Sequence, residues 1–308
     1  MKKYIFLLTG FLLPILSYCQ SPDTAKHKKF LTTSPFLGGV SVTDIVSPVK
    51  VNNSTMTMQQ PIADIGIPVY KDFSTVNSVL IKTGIRYRGL FLSNEEKIGE
   101  SAFHSVTIPL LLNYSLSRTK TISFIGLATA GSDFKSGIEA NDIQYTLGVR
   151  LGFRASKSFK WGVTLVYTRN YSGKFLLPLP DFDWTINDNW NLTAVLPSRA
   201  SLKRRLSKSQ SLGLTVGLDG SMYRLNTTNQ PQYIHLRQNS AGLLYDLTLS
   251  RRWKFAMVAG HTFMQRLETF NMDQKVPFEG FGKLNDRVAN ISYRQNSFIF
   301  QGGVSYQF

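Results

Sequence analysis

Ser297-Phe298-Ile299-Phe300-Gln301-Gly302-Gly303-Val304-Ser305-Tyr306-Gln307-Phe308 closes the chain and decides its fold. Phe298, Phe300, Gly302, Val304, Tyr306 and Phe308 share one parity, and Ser297, Ile299, Gln301, Gly303, Ser305 and Gln307 share the other. Successive side chains of a strand point to opposite sides. One face is therefore aromatic and apolar, the other small and mostly polar. A strand divided in this way suits a wall between lipid and a watery lumen.

Working back from this stretch, the same period-2 pattern recurs. Tyr145, Leu147, Val149, Leu151 and Phe153 alternate with Thr146, Gly148, Arg150, Gly152 and Arg154. Val79, Ile81, Ile85, Tyr87 and Phe91 oppose Lys82, Gly84, Arg86 and Arg88. Trp253, Phe255, Met257, Ala259 and Phe263 oppose Lys254, Gly260, Thr262 and Arg266. Helical periodicity is absent from about residue 35 onward. The short connections are serine-led and basic, such as Ser117-Arg118-Thr119-Lys120 and Ser250-Arg251-Arg252. The longer ones are polar: 94–100, 133–142, 170–183, 226–233 and 269–289. Short turns at one rim and long loops at the other describe an all-β, up-and-down antiparallel transmembrane β-barrel over residues 35–308. About 12 strands are expected, with roughly 10 or 14 as the neighbouring even counts. Residues 190–206 read either as one strand kinked at Pro197 or as a small hairpin, since proline cannot donate to a ladder.

A 308-residue chain with formal net charge +16 and a single cysteine excludes an intramolecular disulfide and any cysteine-built metal centre. The charge points to an anionic partner. The basic residues are scattered, with no zinc-finger spacing and no basic helix, which argues against nucleic acid. Met1-Lys2-Lys3, the apolar run 4–16 and Ser17-Tyr18-Cys19-Gln20 form a secretory signal cut after residue 19. A polar leader, 20–34, follows. Cys19 fits a second reading as a lipidated N-terminus, against which the bulky Tyr18 argues. The expected destination is the cell outer membrane.

The signal ending in Cys19-Gln20, the block Leu179 to Pro197, the repeated Leu-Ser turns and the terminal Tyr306-Gln307-Phe308 carry a resemblance. The chain resembles Bacteroidota-type outer-membrane β-barrel proteins of unassigned function. That resemblance implies no catalytic residues. It implies that Tyr306 and Phe308 form the signal read by the barrel-assembly machinery.

With the apolar faces toward lipid, the lumen receives Lys82, Arg86, Arg88, Arg150, Arg154, Lys254 and Arg266, with Asp246 as a rare acid. Two functions follow. One is a non-enzymatic envelope barrel with a basic, partly plugged lumen; the other is a narrow, anion-preferring pore for small solutes. A lipid-modifying enzyme is the third reading. His104 and Ser105 are adjacent on a strand, point to opposite faces and cannot form a dyad, and neither HExxH nor Gly-x-Ser-x-Gly occurs. No cofactor is expected. Trp184, Ile186, Trp190 and Leu192 are placed at the long-loop rim, as interface anchors or a ligand platform. A soluble barrel or sandwich with apolar faces inward remains the architectural alternative.

Overall fold

The computed structural model describes residues 38–308, apart from 52–53, 74–76, 136, 138, 140–141, 227–229, 251 and 276–286. The expected signal and the whole of the leader lie outside the described residues. Fifteen strands form one antiparallel sheet: β1 (Gly39–Val51), β2 (Ser54–Asp72), β3 (Val79–Ser93), β4 (Ala102–Ser115), β5 (Lys120–Ser132), β6 (Ile143–Arg154), β7 (Phe159–Asn170), β8 (Gly173–Thr185), β9 (Trp190–Val195), β10 (Arg199–Arg205), β11 (Gln210–Leu225), β12 (Gln232–Thr248), β13 (Trp253–Asn271), β14 (Ile291–Arg294) and β15 (Phe298–Gln307). Fourteen of them close a barrel, because β15 pairs with both β13 and β1. Short β14 adds to β13 above the wall.

The apolar faces point outward. Ile85, Ile108, Leu147, Leu165, Leu214, Leu243, Met257 and Phe300 are exposed on the outer surface. Water would oppose such a band and hydrocarbon favours it, so the soluble alternative does not hold. At the short-turn end the band finishes in aromatic contacts: Trp161 on Phe153 (centroids 4.6 Å apart) and Trp253 on Tyr306 (4.9 Å).

The short turns share one device. Ser117 Oγ accepts the N–H groups of Thr119 and Lys120, and Ser156, Ser207 and Ser250 repeat the pattern two and three residues ahead. In the β8–β9 turn Asn187 Oδ1 takes the same role. A short oxygen-bearing side chain thus satisfies amides that the tight turn removes from the ladder.

The barrel has 14 strands, the upper of the even counts expected around 12, for two reasons in one region. Residues 170–183 are not a long loop: the chain turns at Tyr171-Ser172 and returns as β8. Residues 190–206 form the hairpin β9–β10, turning at Leu196-Pro197-Ser198. Pro178 and Pro180 are compatible with β8 because both aim toward the β9 side, where Pro180 only accepts, from Leu196 N–H at 2.8 Å, and β9 ends before Pro178. Two strands were added together, so the rim parity read from the sequence is unchanged. Trp184, Ile186, Trp190 and Leu192 consequently flank a short turn, not the long-loop rim.

Candidate functional site

The barrel interior divides into two halves. On the loop side an apolar core occupies it. Val49, Met56, Met58, Leu90, Leu92, Phe103, Tyr223, Leu225, Ile234, Leu236 and Leu267 pack from seven strands, joined by Ile98 from the β3–β4 loop and Tyr293 from β14. Leu90, Phe103, Tyr223 and Ile234 are 0% exposed. The residues of β3 show how this arises. Lys82, Arg86 and Arg88 share the inward parity with Leu90 and Leu92, so one strand face changes from charged to apolar along its length.

Beneath the core lies a hydrogen-bonded layer. Arg88 reaches across the barrel to Asp219 on β11 and donates to Gln60 Oε1 at 3.0 Å. Gln60 donates to Gln238 at 2.9 Å. Gln265 Oε1 lies 3.0 Å from the hydroxyls of both Ser47 and Ser297. Buried polar groups are tolerated in an interior when they bond to one another, and here the bonds link β2 to β12, β13 to β1 and β3 to β11.

The upper wall also folds inward. β11 pairs with β10 up to Gly217, then leaves that edge, and Arg224 comes to stand opposite Ser132 of β5 in a parallel bridge. Asp133 N–H donates to Arg224 O at 3.1 Å. Gly131 is required there, since a Cβ would lie 2.8 Å from the Met222 carbonyl oxygen. Between β11 and the inner faces of β6–β8 this leaves a side bay. Its loop-side cap is a second cluster, Tyr171, Tyr233 and Phe270, with Met222 and Met272. Arg224 to Asp142 at 2.5 Å and the Arg287 guanidinium 4.2 Å above Phe270 complete the cap. At the same rim Lys135 pairs with Glu100 and holds its carboxyl below the ordinary range, chiefly through their hydrogen bond.

In the half toward the short turns, the interior is polar. Arg86 pairs with Asp64. Arg150 makes two bonds to Asp181, at 2.8 and 2.6 Å, and Gly152 and Gly162 leave the space its guanidinium occupies. Lys203 donates to Asp246 at 2.5 Å, with Lys254 on the adjacent strand. Lys82 points inward, its stem over Gly66. A cavity of about 590 Å³ at the mouth is lined by Arg118, Arg150, Arg154 and Lys160 and by the turn hydroxyls of Ser117 and Thr119.

Of the eight residues assigned to the lumen, Arg266 faces the other way. Thr262 pairs with Ser240 and Met264 with Asn239, so Phe263 is an extra residue in β13. That bulge reverses the parity above it. Gln265 and Leu267 turn inward, and Arg266 turns outward with Glu268, which pairs with Arg237 and Arg294 at 2.8 Å each. A bulge is a two-against-one arrangement that alternation cannot register. His104 and His261 lie on the outer face, His104 2.8 Å from Tyr87 Oη and His261 edge-on to Phe298. Tyr306 and Phe308 are also outward, with Arg252 donating to Tyr306 at 2.9 Å.

Sequence reasoning missed Asp64, Asp181, Asp219 and Lys203, which pair with the interior charges, and it missed the apolar core. The available signal was the apolar parity switch at Leu90, Leu92, Met56 and Met58. Among the described residues no group of three or more His, Cys, Asp or Glu side chains is placed to hold a metal ion.

A closed antiparallel barrel, apolar outside and charged or plugged inside, defines a transmembrane β-barrel of the outer-membrane type. The chain belongs to the family described as a domain of unknown function, DUF6268, which matches residues 36–307. No curated protein sequence matches it. Among solved structures it is similar to an outer membrane channel from Pseudomonas putida F1 (9% identity, TM-score 0.43, covering 89% of this chain and 97% of that one). It is also similar to the NanC porin (9%, 0.36, 87% and 100%) and to a mutant of the TodX monoaromatic hydrocarbon channel (10%, 0.38, 87% and 89%).

Proposed function

We propose that this protein is a non-enzymatic barrel of the outer membrane whose lumen is closed to free passage of hydrophilic solutes. The observation that carries the reading is the apolar core across the loop-side half, seated on the Arg88–Asp219 and glutamine layer. Its surroundings are outer-membrane lipid, and the outward Tyr306 and Phe308 at the end of the closing strand are available to the barrel-assembly machinery. The interior cations Arg86, Arg88, Arg150 and Lys203 each have a carboxylate partner, which removes most of the field that an anion-preferring pore would use. Purified protein in planar bilayers is expected to give no stepwise current. Anion-selective steps from protein that is correctly folded by heat-modifiability on a gel would overturn the proposal.

A second reading rests on the mouth cavity. Arg154 and Lys160 stand directly opposite each other on β6 and β7, and like charges so placed repel unless an anion lies between them. This supports small anionic solutes as ligands of the short-turn mouth. It does not require that they cross the barrel.

A further inference from the structure

The barrel wall has a break. β8 pairs with β9 only over Asp181–Thr185, and β10 with β11 only as far as Gly217. Above the β9–β10 turn, no strand among the described residues pairs with the β9-side edge of β8 from residue 174 to residue 180. Nor does one pair with the facing edge of β11 until Arg224 meets β5. On β11 the consecutive residues Leu218, Asp219 and Gly220 are all exposed at this level.

This break lies within the lipid band. Across β7–β8, Leu165 stands beside Pro178 and Tyr167 beside Leu176, and Leu165 and Leu176 are exposed on the outer surface. Open sheet edges do not occur against hydrocarbon unless they are buried in protein or line a water-filled cavity, because their amides find no partner there. Pro178, without an N–H, removes one of those donors from the free edge of β8.

Behind the break, the inner faces of β5–β8 carry one apolar row, with Thr146 and Thr168 in the row above it and Arg150 and Thr164 in the row below. Ile125, Gly148, Val166 and Leu177 form one cross-strand row on the inner faces of β5–β8. Leu127 and Phe175 belong to the row above, and Leu179 stands in the row below, beside Thr164. At the foot of the bay Gly217 faces open space: an added Cβ would meet nothing within 4 Å. Above the break, Arg169 and Lys174 stand directly opposite each other, both exposed on the outer side at the loop rim.

We infer that the break between β8 and β11 is a lateral portal through which the acyl chain of an anionic membrane lipid enters the bay. The acyl chain covers the apolar row inside. Arg169 and Lys174 meet the headgroup phosphate, which relieves their mutual repulsion. This goes beyond a barrel closed along its axis, and it concerns a different exit, through the side wall into the bilayer.

The full chain is reconstituted with phosphatidylglycerol carrying a photoactivatable diazirine in its acyl chain, irradiated, and mapped by mass spectrometry. Adducts are expected on the inward residues Phe175, Leu177 and Leu179 as well as on the outward Leu147 and Leu165. Leu177→Gln, verified as folded by heat-modifiability, is expected to lower labelling of Phe175 and Leu179 about tenfold. Adducts confined to outward residues would overturn the portal. Inward adducts from free diazirine-palmitate but not from the phospholipid would overturn the assignment of the occupant. Neither readout depends on conductance, so failure here is separable from failure of the closed-lumen proposal.

Discussion

Leu90 and Arg150 show the two ways this chain fills an interior. Leu90 is wholly buried among side chains that come mostly from other strands. Truncation there removes packed apolar volume that the rigid strands cannot collapse to refill. Leu90→Ala is therefore expected to destabilise the folded barrel by about 2–5 kcal/mol, measured by urea unfolding in detergent followed by tryptophan fluorescence. Arg150 is held instead by two short bonds to Asp181, over glycines that leave room for it. The sequence announces the arginine, since it breaks the apolar–small alternation of β6. It does not announce the aspartate, because the partner sits 31 positions away behind a Pro-Leu-Pro segment that reads as loop.

The strands contribute their own decisions. The bulge at Phe263 lets β13 present Lys254 and Thr262 inward below it and Gln265 and Leu267 inward above it. Without the extra residue, Gln265 would point away from Ser47 and Ser297, and Leu267 would leave the core. A one-residue change of register carries every side chain beyond it to the other face. Deleting Phe263 is expected to abolish the heat-modifiable folded form, whereas Phe263→Ala, which keeps the residue count, is expected to retain it; gel mobility of unboiled samples checks both. The short hairpin β9–β10 is the other such decision. Its early turn at Pro197 leaves the wall low on one side and gives β11 the freedom to cross toward β5.

At the scale of the molecule, the plug among the described residues is made mainly by strands bending toward one another, joined by Ile98 from the β3–β4 loop. The Arg88–Asp219 pair ties β3 to β11, and the glutamine layer ties β2 to β12 and β13. Loosening these ties without touching the outer wall is expected to open a path. The triple variant Gln60→Ser, Arg88→Ser, Asp219→Ser should show bilayer current steps that the parent lacks, while its unboiled gel mobility stays that of a folded barrel. Equal silence in both would assign the seal to the apolar core alone.

The sequence by itself determined an antiparallel β architecture with two unlike faces: alternation, turn chemistry and the aromatic closing strand are local properties, written within ten or so residues, whereas which face points outward was decided by the structure. It also determined the rim assignment, since parity survives an even miscount. The strand number, the orientation of Arg266, the carboxylate partners, the plug and the break in the wall were decided only in three dimensions. Each depends on where one strand ends relative to another or on side chains that meet across the lumen. Such pairings form between residues distant in the chain, and a period-2 pattern carries no information about which distant strand a face will meet.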